Sequence, residues 1–308
     1  MAASPPVREA ATQVSRGFVM GAADVVPGVS GGTVALVFGI YPRLVDTIRQ
    51  GARALGHFVR LDIGSGWSRV RRVDWAFLLP LLAGIAVAVV TLASVIERQL
   101  EENPEEMAGI FFGLVAASTW VAWRLLRQRT PALVMVMAVV ALIVFVALGW
   151  RSGPVADPSP LAFFGAGMVA ICAMILPGIS GSFILLMLGM YGAVIHVVDD
   201  RVIGDAAIFI GGAVVGLALF STLLGWLLDT VFEWVMAVLI GLMLGSLRVL
   251  WPWPNGVGVI SENDEEVVSG TALEWPSGDE WFGPSALAVV AAALVMVFTR
   301  VGERRVHR

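Results

Sequence analysis

The chain is 308 residues long, 58% hydrophobic and only 14% charged, with a mean hydropathy of +0.85. Soluble domains carry about 25% charged residues, so this composition excludes a soluble globular protein and indicates a single all-α domain embedded in a membrane. The net charge of −4 decides little, because all twenty basic residues are arginines segregated along the chain; no nucleic-acid partner is expected.

In chain order, Arg8 and Arg16 precede an apolar run that contains Asp24 and Pro27 and no small-x-small cleavage site, so a removable signal is not expected. The apolar region 10–48 is too long for one span and is broken at its centre by PGVSGG. Each leg is about 14–16 residues, which at about 1.5 Å per residue reaches only part way through a core of about 30 Å. A re-entrant hairpin is expected, its irregular tip shielded from lipid by protein or water. Spans follow at 75–96, 107–124 and 131–150. A second broken region, 160–198, carries PGISGS and is expected to form a second hairpin, followed by spans at 205–228, 232–250 and 284–300.

Arginine-rich loops favour the cytoplasmic side. With both termini inside, the first hairpin returning inside and the second entering from outside, sixteen of the twenty arginines are cytoplasmic. Arg98, Arg151, Arg201 and Arg248 lie outside, near the acidic stretches 97–106 and 261–270.

The two regions match at a distance of 150 positions: Pro27, Gly28, Ser30, Gly31, Gly39 and Tyr41 recur as Pro177, Gly178, Ser180, Gly181, Gly189 and Tyr191. Gly113-Leu114 with Ser118 recurs as Gly241-Leu242 with Ser246. A first repeat (10–150) and a second (160–300) each hold a hairpin and three spans. Three spans per half is an odd number, so the second half is inverted, a pattern of secondary transporters.

Beyond each PGxSG the chain resumes as a helix whose first turn has unpaired N–H groups and the positive end of the dipole. Ser30 and Thr33, and Ser180 and Ser182, offer hydroxyls. Gly31, Gly32 and Gly181 let backbone approach a ligand, and Pro27, Gly28, Pro177 and Gly178 break the helices. Two opposed tips suit an anion such as phosphate held at the midplane; the alternative is that glycine and serine only permit tight packing. Asp24, about one turn before the first tip, has Met174 as its counterpart. An intramembrane carboxylate is a functional candidate. It could couple transport to H⁺ or Na⁺ or gate substrate, cap backbone at the tip, or pair with Arg16.

Gly109/Gly113, Gly212/Gly216 and Gly241/Gly245 are small-xxx-small packing pairs. Trp75, Trp120, Trp123, Trp150, Trp234, Trp251 and Trp253 read as interface anchors. The basic loop 49–72 can meet anionic headgroups. His196 reads as interfacial. The single cysteine, Cys172, excludes a disulfide within the chain, and His57, His196 and His307 are too scattered for a metal cluster. Neither a metal nor a bound cofactor is expected.

"GFVMGAADVVPGVSGGTVALVFGIYPRLVDTI" (17–48) resembles the signature of the prokaryotic polyprenyl-phosphate transporter family, formerly domain of unknown function 368, and the resemblance extends through PGISGS over essentially the whole chain. It implies a plasma-membrane flippase that returns undecaprenyl phosphate, or a related polyprenyl phosphate, to the cytoplasmic leaflet for synthesis of cell-wall and surface glycans, with coupling to a proton or sodium gradient. The motif positions carried over are Asp24, Pro27, Gly28, Ser30, Gly31, Gly32 and Thr33, then Pro177, Gly178, Ser180, Gly181 and Ser182; Phe183 stands where the first motif has Thr33. The rivals are an undecaprenyl-pyrophosphate phosphatase and a small-anion transporter or channel. The former family's PGxSRS-like arginine is replaced here by Gly31 or Gly181, and no paired glutamates or serine–histidine chemistry stands at the tips. Oligomeric state is not legible.

Overall fold

The computed structural model describes residues 5–25, 29–149, 155, 158–199, 201–253, 273–278 and 280–306. Among them are thirteen helices and no strand. The expectations at Pro27, Gly28, Trp150, Arg151, His307 and the acidic stretch 261–270 lie outside the described residues.

The first broken region forms α1 (Pro5–Asp24), α2 (Gly31–Val37) and α3 (Tyr41–Val59). The second forms α8 (Pro160–Ile175), α9 (Gly181–Met187) and α10 (Tyr191–Asp199). The central breaks fall where expected, but the leg after each tip is not one helix of about 14–16 residues. It is a seven-residue helix followed by a second break. The cause is Gly39 and Gly189, which adopt left-handed φ values of 67° and 68°. At both, the glycine N–H and the N–H after it bond back to the last turn: Gly39 to Leu36 and Ile40 to Ala35, then Gly189 to Leu186 and Met190 to Leu185. This pair of bonds closes a helix with a glycine just past its end. Tyr41 and Tyr191 then open the next helices.

The expected loop 49–72 is also mostly helical: α3 runs to Val59 and α4 covers Ile63–Val70. Between them Leu61 has φ 60°, and Asp62 caps α4 by accepting from the Ser65 N–H at 3.1 Å. Hydrogen bonds from Ser65 and from His57 hold the Asp62 carboxyl below the usual carboxylate range. Leu61 is 85% exposed, and Ile63 and Trp67 are exposed beside it. An apolar edge flanked by Arg60, Arg69, Arg71 and Arg72 suits the headgroup boundary.

The remaining helices are α5 (Trp75–Glu102), α6 (Pro104–Leu125), α7 (Pro131–Ala147), α11 (Ile203–Thr230), α12 (Phe232–Ser246) and α13 (Phe282–Val306). Caps set their starts: Asp74 accepts from the Phe77 N–H at 3.2 Å and Thr130 from the Leu133 N–H at 3.4 Å. Among the described residues, four helices are long and apolar enough to cross a membrane: α5, α6, α11 and the 282–300 part of α13. The two other expected spans are shorter helices, 17 residues in α7 and 15 in α12. Past Ser246 the chain tightens into three-residue turns, with Leu247, Arg248 and Val249 bonding to Leu244, Gly245 and Ser246, so the helical register ends there.

The helices pair in a regular way. α1 lies along α5, and α8 along α11; α6 lies along α13, and α7 along α12, so that the last pairings cross between the two halves of the chain. Glycines set these approaches. A side chain at Gly17 or Gly84 would run into the backbone of α5 or α1, at Gly212 into Phe164, and at Gly113 into Ala288. The expected packing glycines are all used, since Gly109 faces Pro284, Gly216 faces Met168, Gly241 faces Met137 and Gly245 faces Ala141. Backbones this close gain dispersion contacts that lipid does not supply. Neighbouring glycines separate packing from propensity: a Cβ at Gly211 meets nothing within 4 Å. Gly212→Leu is expected to lower the thermal midpoint in detergent, with overpacking costing about 1–3 kcal/mol. Gly211→Leu is expected to leave it unchanged or raise it, as glycine costs up to about 1 kcal/mol in a helix.

Candidate functional site

The two breaks meet in the interior. Val29 is buried, as are Ser30 at 1% exposure, Thr33 at 0% and Ser180 at 6%. Ser30 is the N-cap of α2 and accepts from the Gly32 N–H at 3.1 Å. Its hydroxyl also donates to the Met174 carbonyl of the other break, at 3.1 Å. In return, the Gly178 N–H donates to Thr33 Oγ1 at 2.9 Å. Gly178 has φ 86° and lies against Met243 of α12. Gly32 lies so close to the Ile175 carbonyl that a Cβ there would sit 2.8 Å from it. Each broken helix thus supplies partners for backbone groups that the other has freed, which is how irregular backbone is tolerated at membrane depth.

Asp24 performs a like service within its own break. It ends α1, and its carboxylate accepts from the Gly31 N–H at 2.5 Å, the first N–H of α2. Of the three roles the sequence allows, the structure displays backbone capping. Arg16 turns instead to Gln13, 3.4 Å away, and to the Phe38 ring. The same corner of the second break is filled differently. A Cβ at Gly31 would meet Asp24 Oδ2 at 2.5 Å, whereas a Cβ at Gly181 would meet Met174 Cγ at 2.6 Å. Ser180 makes no cap bond to α9; its hydroxyl lies 2.8 Å from that of Ser182.

The tip residues picked out by sequence therefore separate into three groups. Ser30 and Thr33 hold the two breaks together. Ser180 and Ser182 pair with each other. Asp24, Gly31 and Gly32 border a cavity of about 450 Å³ that lies between α1, α3, α5, α8 and α11. Its walls are apolar: Leu44, Ile48 and Leu55 of α3, Leu78 and Leu82 of α5, and Leu217 of α11 are among them. Among the described residues lining it there is no arginine, and Asp24 is the one charged group. The wall from α3 was missed by sequence reasoning, although Leu44, Ile48, Gly51 and Leu55 recur at helical spacing on one face. No cluster of three or more candidate metal ligands occurs among the described residues.

The seam between the breaks can be probed directly. Thr33→Val removes the acceptor of the Gly178 N–H and is expected to cost about 1–3 kcal/mol, the penalty of an unsatisfied buried group. Amide exchange at Gly178 is expected to accelerate in that variant and to return to the wild-type rate in Thr33→Ser, which restores the hydroxyl.

Comparison with known proteins identifies the family. The profile of the family described as VCA0040-like, undecaprenyl phosphate translocase-like, matches residues 20–268. The chain is 35% identical over 301 residues to the polyprenyl-phosphate transporter of Vibrio cholerae serotype O1 (strain ATCC 39315 / El Tor Inaba N16961), covering 94% of this chain and 96% of that protein. It is 30% identical over 257 residues to the polyprenyl-phosphate transporter of Staphylococcus aureus (strain NCTC 8325 / PS 47), covering 78% and 85%. No solved structure matches. These names are those of transporters, not of phosphatases. With its several apolar helices and its match over most of its length, the chain is a multi-pass membrane protein and belongs to the undecaprenyl phosphate translocase-like family.

Proposed function

We propose that this chain is a flippase that moves undecaprenyl phosphate, or a related polyprenyl phosphate, from the outer to the cytoplasmic leaflet, where the carrier lipid re-enters glycan synthesis. The two broken regions act as re-entrant hairpins of an inverted repeat, entering from opposite faces, with both termini cytoplasmic. The arginine distribution supports that orientation, and the shared glycine-capped turns 150 positions apart support the repeat.

The observation that carries the reading is the Asp24 carboxylate on the Gly31 N–H, at the end of an apolar cavity. A carboxylate here occupies the place of an anion. A lipid phosphate presents the same chemistry, an anionic oxygen on an apolar tail. The phosphate is held by the N–H groups and hydroxyls of the tips, from Ser30, Gly31, Gly32 and Thr33 and from Ser180, Gly181 and Ser182, once their present bonds have opened. Asp24 and phosphate then compete for one donor. Ionised Asp24 keeps the Gly31 N–H and repels a second anion; protonated Asp24 gives up the stronger, charge-assisted bond and admits phosphate. Proton loss toward the cytoplasm evicts it, which gives the cycle a direction coupled to H⁺.

The test is reconstitution in liposomes with labelled polyprenyl phosphate, following leaflet accessibility and free phosphate. Movement of intact lipid, accelerated by acid on the side of loading, is the expected result. Phosphate release would instead establish an enzyme, anion flux without lipid movement a channel, and dependence on a Na⁺ gradient alone would assign coupling to that ion. Asp24→Asn keeps a side-chain acceptor for Gly31, so folding is expected to survive. The transport rate is expected to fall by about tenfold or more, about 1.4 kcal/mol in barrier, and to lose its pH dependence. A wild-type rate and pH profile in that variant would remove Asp24 from the mechanism.

A further inference from the structure

We propose that the cavity between α1, α3, α5, α8 and α11 is the binding groove for the isoprenoid chain of the substrate, holding the units nearest the phosphate, and that the lipid reaches it sideways past α3, α5 and α11. The inference rests on the flippase reading and adds to it the place where the tail lies.

The groove is continuous with the tips, since Gly31 and Gly32 form one end of it together with Asp24. Its volume of about 450 Å³ falls within the range of about 300–1,000 Å³ usual for small-ligand sites, which are likewise mostly apolar with few polar groups. The rim is accessible from the side: Leu55 of α3 is 39% exposed, Leu82 of α5 48% and Val214 of α11 41%. Trp75 stands among the lining residues at the start of α5.

The polar inventory selects the occupant. The lining side chains offer Asp24 and Thr47 apart from the indole of Trp75. Asp24 is engaged by Gly31, the Thr47 hydroxyl already donates to the Arg43 carbonyl at 2.7 Å, and the Trp75 indole N–H donates to the Val70 carbonyl at 2.7 Å. A peptide segment laid here would bring backbone N–H and C=O groups with no partners, at several kcal/mol each in an apolar setting. A hydrocarbon brings none. The single anionic residue at the inner end also means that the head group can dock only where Asp24 yields its N–H, which places the tail in the groove and the phosphate at the tip.

Gly51 marks the space to be filled. It lines the groove from the middle of α3, and a Cβ built there meets no atom within 4 Å. A larger side chain at this position extends into the cavity without displacing protein, and loss of a mid-helix glycine does not weaken α3. Gly56 of the same helix is equally open but lies outside the groove, so it serves as the control.

The experiment uses the reconstituted full chain and a polyprenyl phosphate carrying a photoreactive diazirine on an isoprene unit near the phosphate. Wild-type protein is expected to cross-link within 44–55, 78–85 and 214–218, and excess unlabelled polyprenyl phosphate, but not phosphatidylglycerol, is expected to suppress it. Gly51→Trp is expected to lose the cross-links and to slow transport by about tenfold or more with an unchanged thermal midpoint, while Gly56→Trp retains both. Gly51→Leu repeats the test with a smaller plug should tryptophan disturb folding. Cross-links elsewhere on the surface, equal competition by phosphatidylglycerol, or wild-type transport by well-folded Gly51→Trp would each overturn the assignment. Failure of the wild type to move the lipid at all would sink the flippase reading instead, and the cross-link pattern would then decide the groove by itself.

Discussion

Helices interrupted at membrane depth leave backbone N–H and C=O groups that neither lipid nor their own segment can satisfy, and the rest of this structure depends on how those groups find partners. Among the hydrogen bonds that do so at the breaks are Ser30 to the Met174 carbonyl, the Gly178 N–H to Thr33, and the Gly31 N–H to Asp24. The first two cross between segments 144 and 145 positions apart. The Ser30 and Thr33 hydroxyls therefore join the two breaks structurally. They require the tips to touch, and the short approach of Gly32 to the Ile175 carbonyl makes the touching possible. The glycine-lined pairs α1 with α5 and α8 with α11 then hold each break from behind.

The two breaks are built alike and finished differently. Both resume as seven-residue helices closed by a left-handed glycine with the same two bonds. Yet the corner beside the first helical glycine holds a carboxylate in one break and a thioether in the other. Methionine fills space with a flexible apolar chain and makes no demand on the N–H of Gly181. Aspartate takes the N–H of Gly31 and brings charge to the edge of the apolar groove. The charge difference between the two breaks thus lies at Asp24 against Met174, beside smaller differences at Ser30 against Ser180 and Thr33 against Phe183.

Much of this was legible in the sequence because proline, glycine and serine inside an apolar run have few other uses. PGVSGG and PGISGS located both breaks, and the small-xxx-small pairs located close helix contacts at Gly109, Gly113, Gly212, Gly216, Gly241 and Gly245. What they contact was not legible. Hydrophobic period names a face but no partner, so nothing in it joins α6 to α13 or α7 to α12 across the halves. The second break after each tip was present as Gly39 and Gly189, matched 150 positions apart, but its meaning lies in φ, which a glycine permits without announcing. The α3 wall of the groove was visible as a stripe at 44, 48, 51 and 55. An apolar stripe facing a cavity reads the same as one facing lipid or core.

The constraint that stabilises the fold is also the one that the proposed exchange breaks. One donor, the Gly31 N–H, opens α2 and needs an acceptor; Asp24 supplies it from within the chain. Any anion drawn to the same donor must displace a partner that is covalently tethered, seven positions away along the chain, and of like charge. Such a tethered acceptor has a high effective concentration, so a free inorganic anion competes poorly. A phosphate whose tail is already bound in the adjoining groove competes on the same terms as Asp24, since it too is held beside the donor. Under the proposed exchange, selectivity for a lipid over a free anion then comes from the groove, while protonation of Asp24 sets the moment of exchange. In that proposal the apolar wall and the carboxylate, which line a single cavity, act as two halves of one filter.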